Sequence, residues 1–510
     1  MDKLKNIIIS KSPKIDFDIT TSVIIYSNEQ PLKEVISKHI SIGEKYDSLI
    51  KEINQKFKKN PKQESIIIIN NPQAPKKFHK IIIIGYPKND IKSVGVGLDE
   101  FRHIGFRIYK GMSHNQLKKV NIICTKPLKQ IEYILEGLLL STYKFNQFKT
   151  KDRLDKDSLD GELDVINVIC QDKNRQFNKL IDNLVYKIES IFLCKNLVNL
   201  PPNHLKPDSY VKHILNIIKL TKLPIKTKVF NDVELKKMGM NLILSVGQTS
   251  AGNNSRLMIL KYEPKKNKQP DYVLLGKGIT YDTGGIRLKS YKGLKEGKFD
   301  MAGSAVVLSA LIGSVLQKSK KNIVVYCPMA ENNIDSQSFK VGDVIKSYSG
   351  STVEIDDTDA EGRLLMGDCL SHIVKNYPKS PIIDVATLTQ QQEDLSCRLF
   401  TTLQGTNNKK IADKLIKNGE LLNEHVLELP IKYQLKSKLE SKIADIKNTS
   451  GTCNAQLMIS SLFLNHFINK DTNWSHLDIA GPSVLSSKEI PYILGESSGI
   501  GVKLLLELLK

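Results

Sequence analysis

Residues 271–278, "DYVLLGKG", lead through 303–317, "GSAVVLSALIGSVLQ", to 322–328, "NIVVYCP", and this succession decides the fold. The outer two are short apolar runs of strand length, bounded by Gly, Pro or polar residues; the middle one is a longer apolar run that reads as a helix. Further on, "EGRLLMGDCLSHIVKN" (361–376) reads as a helix and "PIIDVATL" (381–388) as a strand. Strand, helix and strand in alternation imply a parallel sheet covered on both faces. In such a sheet, functional groups collect at the carboxyl ends of strands and the amino ends of helices.

The first third repeats the alternation on a smaller scale. "SVIIYS", "SIIIIN", "KIIIIGY", "VNIICT" and, further on, "VINVIC" read as strands, and "KQIEYILEGLLLSTYKF" has helical periodicity. From Asn174 to Leu197, Phe177, Leu180, Ile181, Leu184, Ile188, Ile191 and Phe192 fall on one helical face. "NLPPNHLKP" stops that helix, since Pro lacks an amide hydrogen and restrains the residue before it. The expected organisation is an amino-terminal α/β domain (1–172), a connecting helix (173–197) and a larger carboxyl-terminal α/β domain (198–510) with a central mixed, largely parallel sheet.

Composition narrows the function classes. At 510 residues, with 40% hydrophobic content, the chain is long enough for two packed domains. No apolar run approaches the roughly 18 residues of a membrane span, and the start "MDKLKNIIISKSPKIDFD" has too short an apolar stretch for a signal peptide. A cytoplasmic chain with no membrane partner is the expectation. The seven dispersed Cys, with no CxxC pair, argue against a disulfide framework and a Cys-type zinc site. The net charge of +21 keeps a nucleic-acid partner open, yet the excess is Lys spread along the chain, without an Arg-rich tract or an aromatic-interleaved patch.

Against that basic background, "DDTDAEGRL" (356–364) places four carboxylates within six residues. Two other stretches put unusual polar residues at strand or helix ends: "GKGITYDTGGIRLK" (276–289), with Lys277, Asp282 and Lys289, and "KFDMAGSA", with Asp300. Singly, each has a bland reading: Asp300, Asp359 and Glu361 as helix caps, and the lysines as surface residues beside Gly turns. Together they supply hard oxygen ligands from several loops at one sheet edge. A pair of divalent cations about 3.5 to 4 Å apart needs such a set. There is no HExxH and no GxxxxGK[ST] phosphate loop.

"GKGITYDTGGIRLK", "DMAGSA", "VEIDDTDAEGRL" and "DVATLT" closely resemble the leucine (cytosol) aminopeptidase family of two-metal exopeptidases. "VNLPPNHLKP", "AEN" (330–332), "ADIKN", "WSHLDIAG" and "EGLLLSTYKF" fit the same pattern, so the resemblance covers nearly the whole chain. It implies that Lys277, Asp282, Asp300, Asp359 and Glu361 hold two ions, zinc at one site and zinc, manganese, magnesium or cobalt at an exchangeable one. By the same resemblance Lys289 polarises the scissile carbonyl, Arg363 holds a bicarbonate that relays protons, and a metal-bridging water attacks. Thr387 and Leu388 match positions that bind substrate through backbone groups. The implied partners are short peptides with a free amino terminus, and the implied assembly is a homohexamer.

Departures from the family pattern bear on specificity. Asp357 stands where the acidic motif normally begins with Asn, Gln390 replaces a small residue near the pocket for the first side chain, and Gly297 replaces a pocket-lining Met. "GTCNAQLMISSLF" lacks the family's run of small residues. None of these positions is one of the seven implied ligand and catalytic residues. The expected function is a metal-dependent aminopeptidase; the alternatives are a catalytically silent scaffold or nucleic-acid-binding protein on the same fold, and a narrower dipeptidase.

Overall fold

Period-2 alternation of side chains sets the larger sheet between two helical layers. The computed structural model describes residues 94–510 except 115–116, 125–127, 154–162, 164, 171–174, 250–254, 267, 452 and 486–488. Before residue 94 it describes the strand segments 8–10, 21–27, 65–70 and 80–86. The chain divides into two compact units, Met1–Ile188 with Ile490–Leu494, and Glu189–Glu489 with Gly495–Lys510.

The first unit carries β1 (Ile8–Ser10), β2 (Thr21–Ser27), β3 (Ser65–Asn70), β4 (Lys80–Tyr86), β5 (Lys119–Cys124) and β6 (Val165–Cys170). They form one sheet in the order β1-β6-β5-β2-β4-β3, parallel except for the β3–β4 pair. The Ile-rich runs are therefore strands, as β-branched composition predicts. Helices Val94–His114 and Leu128–Leu140 belong to this unit. The division between the units falls within the long helix Arg175–Asn199, which ends immediately before "LPP". Of its predicted apolar face, Phe177, Ile181, Leu184, Ile188, Ile191 and Phe192 are buried.

The second unit is built on β7 (Lys226–Phe230), β8 (Arg256–Tyr262), β9 (Tyr272–Gly276), β10 (Gly278–Asp282), β11 (Ile323–Asn332), β14 (Ile382–Ala386), β15 (Thr401–Thr406), β16 (Val426–Glu428) and β18 (Trp474–Asp478). The three short strands β12 (Val344–Lys346), β13 (Thr352–Glu354) and β17 (Ile446–Lys447) form a separate small sheet. The main sheet runs β16-β15-β18-β14-β9-β11-β8-β7, with β10 continuing alongside β11. Its centre, β18, β14, β9, β11 and β10, is parallel, while β8, β7 and β15 join antiparallel. The fold is thus α/β with a mixed, largely parallel sheet.

Val273 and Leu275 of β9 join a core that includes Leu364, Leu365, Met366, Cys369, Leu370 and Ile373 of helix Gly362–Asn376. The alternate residue Gly276 faces the other way, where a Cβ would meet Ser304 and Val307 of helix Ala302–Leu316. Helices therefore cover both faces, as a parallel sheet requires. Each fully buried Leu or Ile of these layers contributes about 1.5 to 3 kcal/mol. Helix Gly362–Asn376 ends where Tyr377 precedes Pro378 and leaves helical dihedrals. The segment Tyr291–Leu316 is apolar enough by composition to span a membrane, but 89% of its most apolar window is buried inside the protein. It is a core segment.

Candidate functional site

Five parallel strands end at one edge of the larger sheet, and each delivers a polar group there. Lys277 follows β9, Asp282 ends β10, Asn332 ends β11, Thr387 follows β14 and Asp478 ends β18. The strand interiors are mostly apolar because both faces are covered, and the polar groups that open onto the cleft come from where the strands stop. Lys277 is fixed by its backbone: its amide donates to Val385 O at 3.0 Å and its carbonyl accepts from Ser304 N at 2.8 Å. Asp300 sits between the short helical turn Gly297–Phe299 and helix Ala302–Leu316, whose N-cap is Met301. It is therefore not the helix cap its position suggested. Glu361 does occupy the N-cap of helix Gly362–Asn376, yet its side chain makes no capping hydrogen bond. The side chain turns instead to Lys277.

A cleft of about 380 Å³ brings together Lys277, Asp282, Lys289, Gly297, Asp300, Asp359, Thr387, Leu388 and Gln390. Glu361 and Arg363 lie behind its wall, 1% and 4% exposed. Lys277 Nζ lies 2.7 Å from Asp300 Oδ1, 3.0 Å from Glu361 Oε1 and 2.8 Å from Thr387 O, to which it donates. Lys289 Nζ lies 2.7 Å from Asp282 Oδ2 and 2.5 Å from Asp359 Oδ1. The hydroxyl of Thr387 donates to Asp300 Oδ1 at 2.7 Å. Four carboxylates thus face two ammonium groups, and one atom each from Asp282, Asp359 and Glu361 come within 4.8 Å of one another.

Burial opposes charge on every member of this cluster, and the pairings decide the outcome. Burial would depress Lys289, but Asp282 and Asp359 hold it well above an ordinary lysine; Asp300 and Glu361 do the same for Lys277. Burial and the neighbouring Asp282 carboxylate push Asp359 up to about 7. Burial raises Asp300 well above an ordinary carboxyl, and Asp282 is raised by burial and by Glu361. Glu361 is buried too, yet Lys277 and Lys289 bring it below its usual value. A carboxylate-rich site with raised proton affinities calls for more positive charge than two lysines supply. Asp300 Oδ2 is buried with no hydrogen-bond partner. Hard oxygen donors, one of them unsatisfied, fit divalent cations.

Arg363 reaches the site from the first turn of helix Gly362–Asn376. Its Nη1 donates to Asn448 O at 3.0 Å, while the buried Nε has no partner. Burial lowers it to about 10, which leaves it charged at neutral pH. A buried guanidinium with a donor to spare fits a small oxyanion.

Local geometry explains the glycines of the motif. Gly284 has φ +86°, and a Cβ there would meet Arg287 O at 2.3 Å, so the turn before Lys289 requires glycine. At Gly362 a Cβ would lie 2.2 Å from Lys277 Cε. Gly297 also lines the cleft, but a Cβ there would meet Asp282 O at 2.5 Å, so its absence lets the chain pack against the β10 end.

Several supporting residues had no role assigned from sequence. Asn332 Nδ2 donates to Asp282 Oδ1 at 2.8 Å and Thr358 O at 3.0 Å. Asp357 is not an unbalanced charge: Oδ2 pairs with the Arg287 guanidinium and Oδ1 accepts the Asp359 amide at 2.9 Å. Asp478 accepts from Leu388 N at 3.1 Å, Thr389 Oγ1 at 2.7 Å and Ala480 N at 3.0 Å, fixing one wall of the cleft. Asn332 closes the apolar run of β11, and that placement was the available signal; Asp478 ends the short, partly polar β18, which offers no such signal.

Comparison with known proteins agrees with this architecture. Residues 192–506 match the family described as "Cytosol aminopeptidase family, catalytic domain". The chain is 33% identical over 400 residues to a "Probable cytosol aminopeptidase" of Protochlamydia amoebophila, covering 78% of each. It is 30% identical over 507 residues to one of Rickettsia felis, covering 96% of each. Among solved structures, "Bottromycin maturation enzyme BotP in complex with Mn" superposes with a TM-score of 0.79 at 22% identity, covering 96% of this chain and 98% of that one. That likeness is one of fold. The family match spans more than half of the chain, and these relatives are at least 30% identical over most of it: the chain belongs to the cytosol aminopeptidase family.

Proposed function

We propose that this chain is a metal-dependent aminopeptidase that removes the first residue from short peptides with a free amino terminus. The observation that carries the reading is the convergence of Asp282, Asp300 and Asp359 with Lys277 and Lys289 in one cleft, with Glu361 behind its wall against Lys277. Lys277, Asp282, Asp300, Asp359 and Glu361 would hold two divalent ions, zinc or manganese among the candidates, which supply Lewis acidity and lower the proton affinity of water. The BotP structure is described with manganese, which supports that choice of probe.

The chain's own groups divide the remaining work. Lys289, kept protonated by Asp282 and Asp359, donates to the oxygen that becomes negative as the peptide carbonyl is attacked. Arg363 would hold a small oxyanion such as bicarbonate through its unpaired Nε, and such an anion would supply a general base beside the cleft. Thr387 and Leu388 position the peptide, held in turn by Asp300 and Asp478. Gly297 and Gln390 line the space for the first side chain. A cytoplasmic homohexamer belongs to the same reading, and light scattering of the purified chain tests the assembly.

The test is hydrolysis of amino-terminal residue reporters by chelator-stripped protein with and without added manganese or zinc. Activity restored by metal and confined to free amino termini is expected. Silence on every reporter and dipeptide, with metal bound, would contradict the proposal.

A further inference from the structure

Glu296 adjoins Gly297, and Glu393 lies one helical turn beyond Gln390, so two acids stand beside the positions proposed for the first side chain. Both line the cleft and also a second cavity of about 960 Å³, which shares Lys292, Phe299 and Val484 with it. Arg398 lies in that second cavity. Its Nη2 is 2.7 Å from Glu393 Oε2 and 3.3 Å from Glu296 Oε1, and its Nη1 donates to Val484 O at 3.3 Å. One guanidinium therefore serves two carboxylates. Its contacting nitrogens are already donating, whereas each carboxylate keeps its other oxygen outside these contacts.

The backbone that presents Arg398 is unusual. Cys397 and Arg398 have φ values of 45° and 66°, consecutive left-handed positions without glycine. Such conformations cost about 1 kcal/mol or more each and persist where the surroundings over-determine them. Here the two ion pairs and the Val484 bond hold the guanidinium in place. The carboxylates are in turn held by it, 34% and 24% exposed and open to the cavity.

Glu296, Glu393 and Arg398 together carry one excess negative charge and acceptors to spare, a set that favours a donor. Lys292 and Lys295 also line this space, but both are exposed on helix Tyr291–Glu296, where salt and solvent screen their charge. Lys298 is engaged by Glu496 at 2.6 Å. An acidic first residue would meet two carboxylates, and leucine would leave their oxygens facing apolar surface.

We propose that Glu296 and Glu393, braced by Arg398, make the first-residue pocket select a cationic side chain, lysine or arginine, over leucine. This rests on the aminopeptidase reading and names the substrate class of that site. Each partly exposed carboxylate should account for about a five-fold preference.

Full-length, manganese-loaded protein is to be assayed on arginyl- and leucyl-aminomethylcoumarin, with calorimetric binding of L-argininamide and L-leucinamide measured in parallel. The arginyl reporter should have the higher kcat/KM, and the arginyl-to-leucyl ratio should fall about five-fold in Glu393→Gln. The preference for argininamide binding should fall with it, and Glu296→Gln provides an independent check. Equal or faster hydrolysis of the leucyl reporter, or a ratio unmoved in both variants, would overturn the proposal and leave the aminopeptidase reading intact. No hydrolysis, but argininamide binding that weakens in the variants, would sustain the acidic wall and sink the aminopeptidase reading. Neither hydrolysis nor binding would overturn both.

Discussion

Lys277 Nζ lies 2.7 Å from Asp300 Oδ1, tying the end of β9 to the turn that precedes helix Ala302–Leu316. The contact is possible because the first residue of helix Gly362–Asn376 has no side chain. Gly362→Ala would press its methyl into Lys277 Cε, 2.2 Å away. The lysine end is flexible enough to move, so the protein should fold with an unchanged circular dichroism spectrum. Manganese affinity should fall about 10- to 100-fold, the usual cost of disturbing a ligand's support. An affinity equal to wild type would separate Lys277 from metal binding.

Lys289 is placed to act on the substrate's developing charge. Lys289→Ala should lower kcat about 10²- to 10³-fold, the loss typical of a missing oxyanion donor, while metal content stays at the wild-type level. Elemental analysis alongside steady-state kinetics makes the distinction. A variant that loses metal and activity together would assign Lys289 to the metal site's integrity.

Asp384 supports the sheet beneath the site. It accepts from Trp474 Nε1 at 2.5 Å and pairs with His476 Nδ1 at 2.5 Å, all three residues being 0 to 1% exposed. Asp384→Ala strands two buried donors, Trp474 Nε1 and His476 Nδ1, and should cost about 2 to 6 kcal/mol in urea unfolding. A loss below about 1 kcal/mol would show that the pair is not structurally required.

His372 gives the stability a pH dependence. Burial, then the ammonium groups of Lys375, Lys228 and Lys261, push it down to about 4 from its ordinary 6.5, while its Nδ1 lies 3.1 Å from the Tyr326 hydroxyl. As pH falls through 6.5 the unfolded chain takes up this proton and the folded chain does not, until pH approaches 4. Its contribution to stability is therefore complete above 6.5 and declines between 6.5 and 4. The urea midpoint of His372→Gln should fall less than that of wild type between about pH 7 and pH 5. Parallel curves would contradict the assignment.

Much of this arrangement was legible because the ligand candidates lie in short motifs where apolar strands stop. "DYVLLGKG" and "PIIDVATL" announce β9 and β14, and their ends deliver Lys277 and Thr387. Local pattern was insufficient where meaning depends on register or on distant partners. The antiparallel attachment of β8 and β15 cannot be read from apolar runs, since buried parallel and antiparallel strands look alike. Asp357 read as an extra charge because Arg287 is remote in sequence, and Asp478 received no role because its partners Leu388 and Thr389 lie in another loop. The sharing of Arg398 between Glu296 and Glu393 joins two segments about a hundred residues apart, which spacing alone cannot reveal.

The central claim is that "DDTDAEGRL" and its two companion motifs form a two-metal site. The most direct measurement is manganese titration of the chelator-stripped full-length protein, wild type and Asp359→Ala, by calorimetry with elemental analysis of the loaded forms. Two ions per chain in wild type, with at least one lost in Asp359→Ala together with reporter hydrolysis, is the predicted result. Wild-type protein that binds no ion, or an Asp359→Ala variant that keeps both ions and full activity, would contradict it.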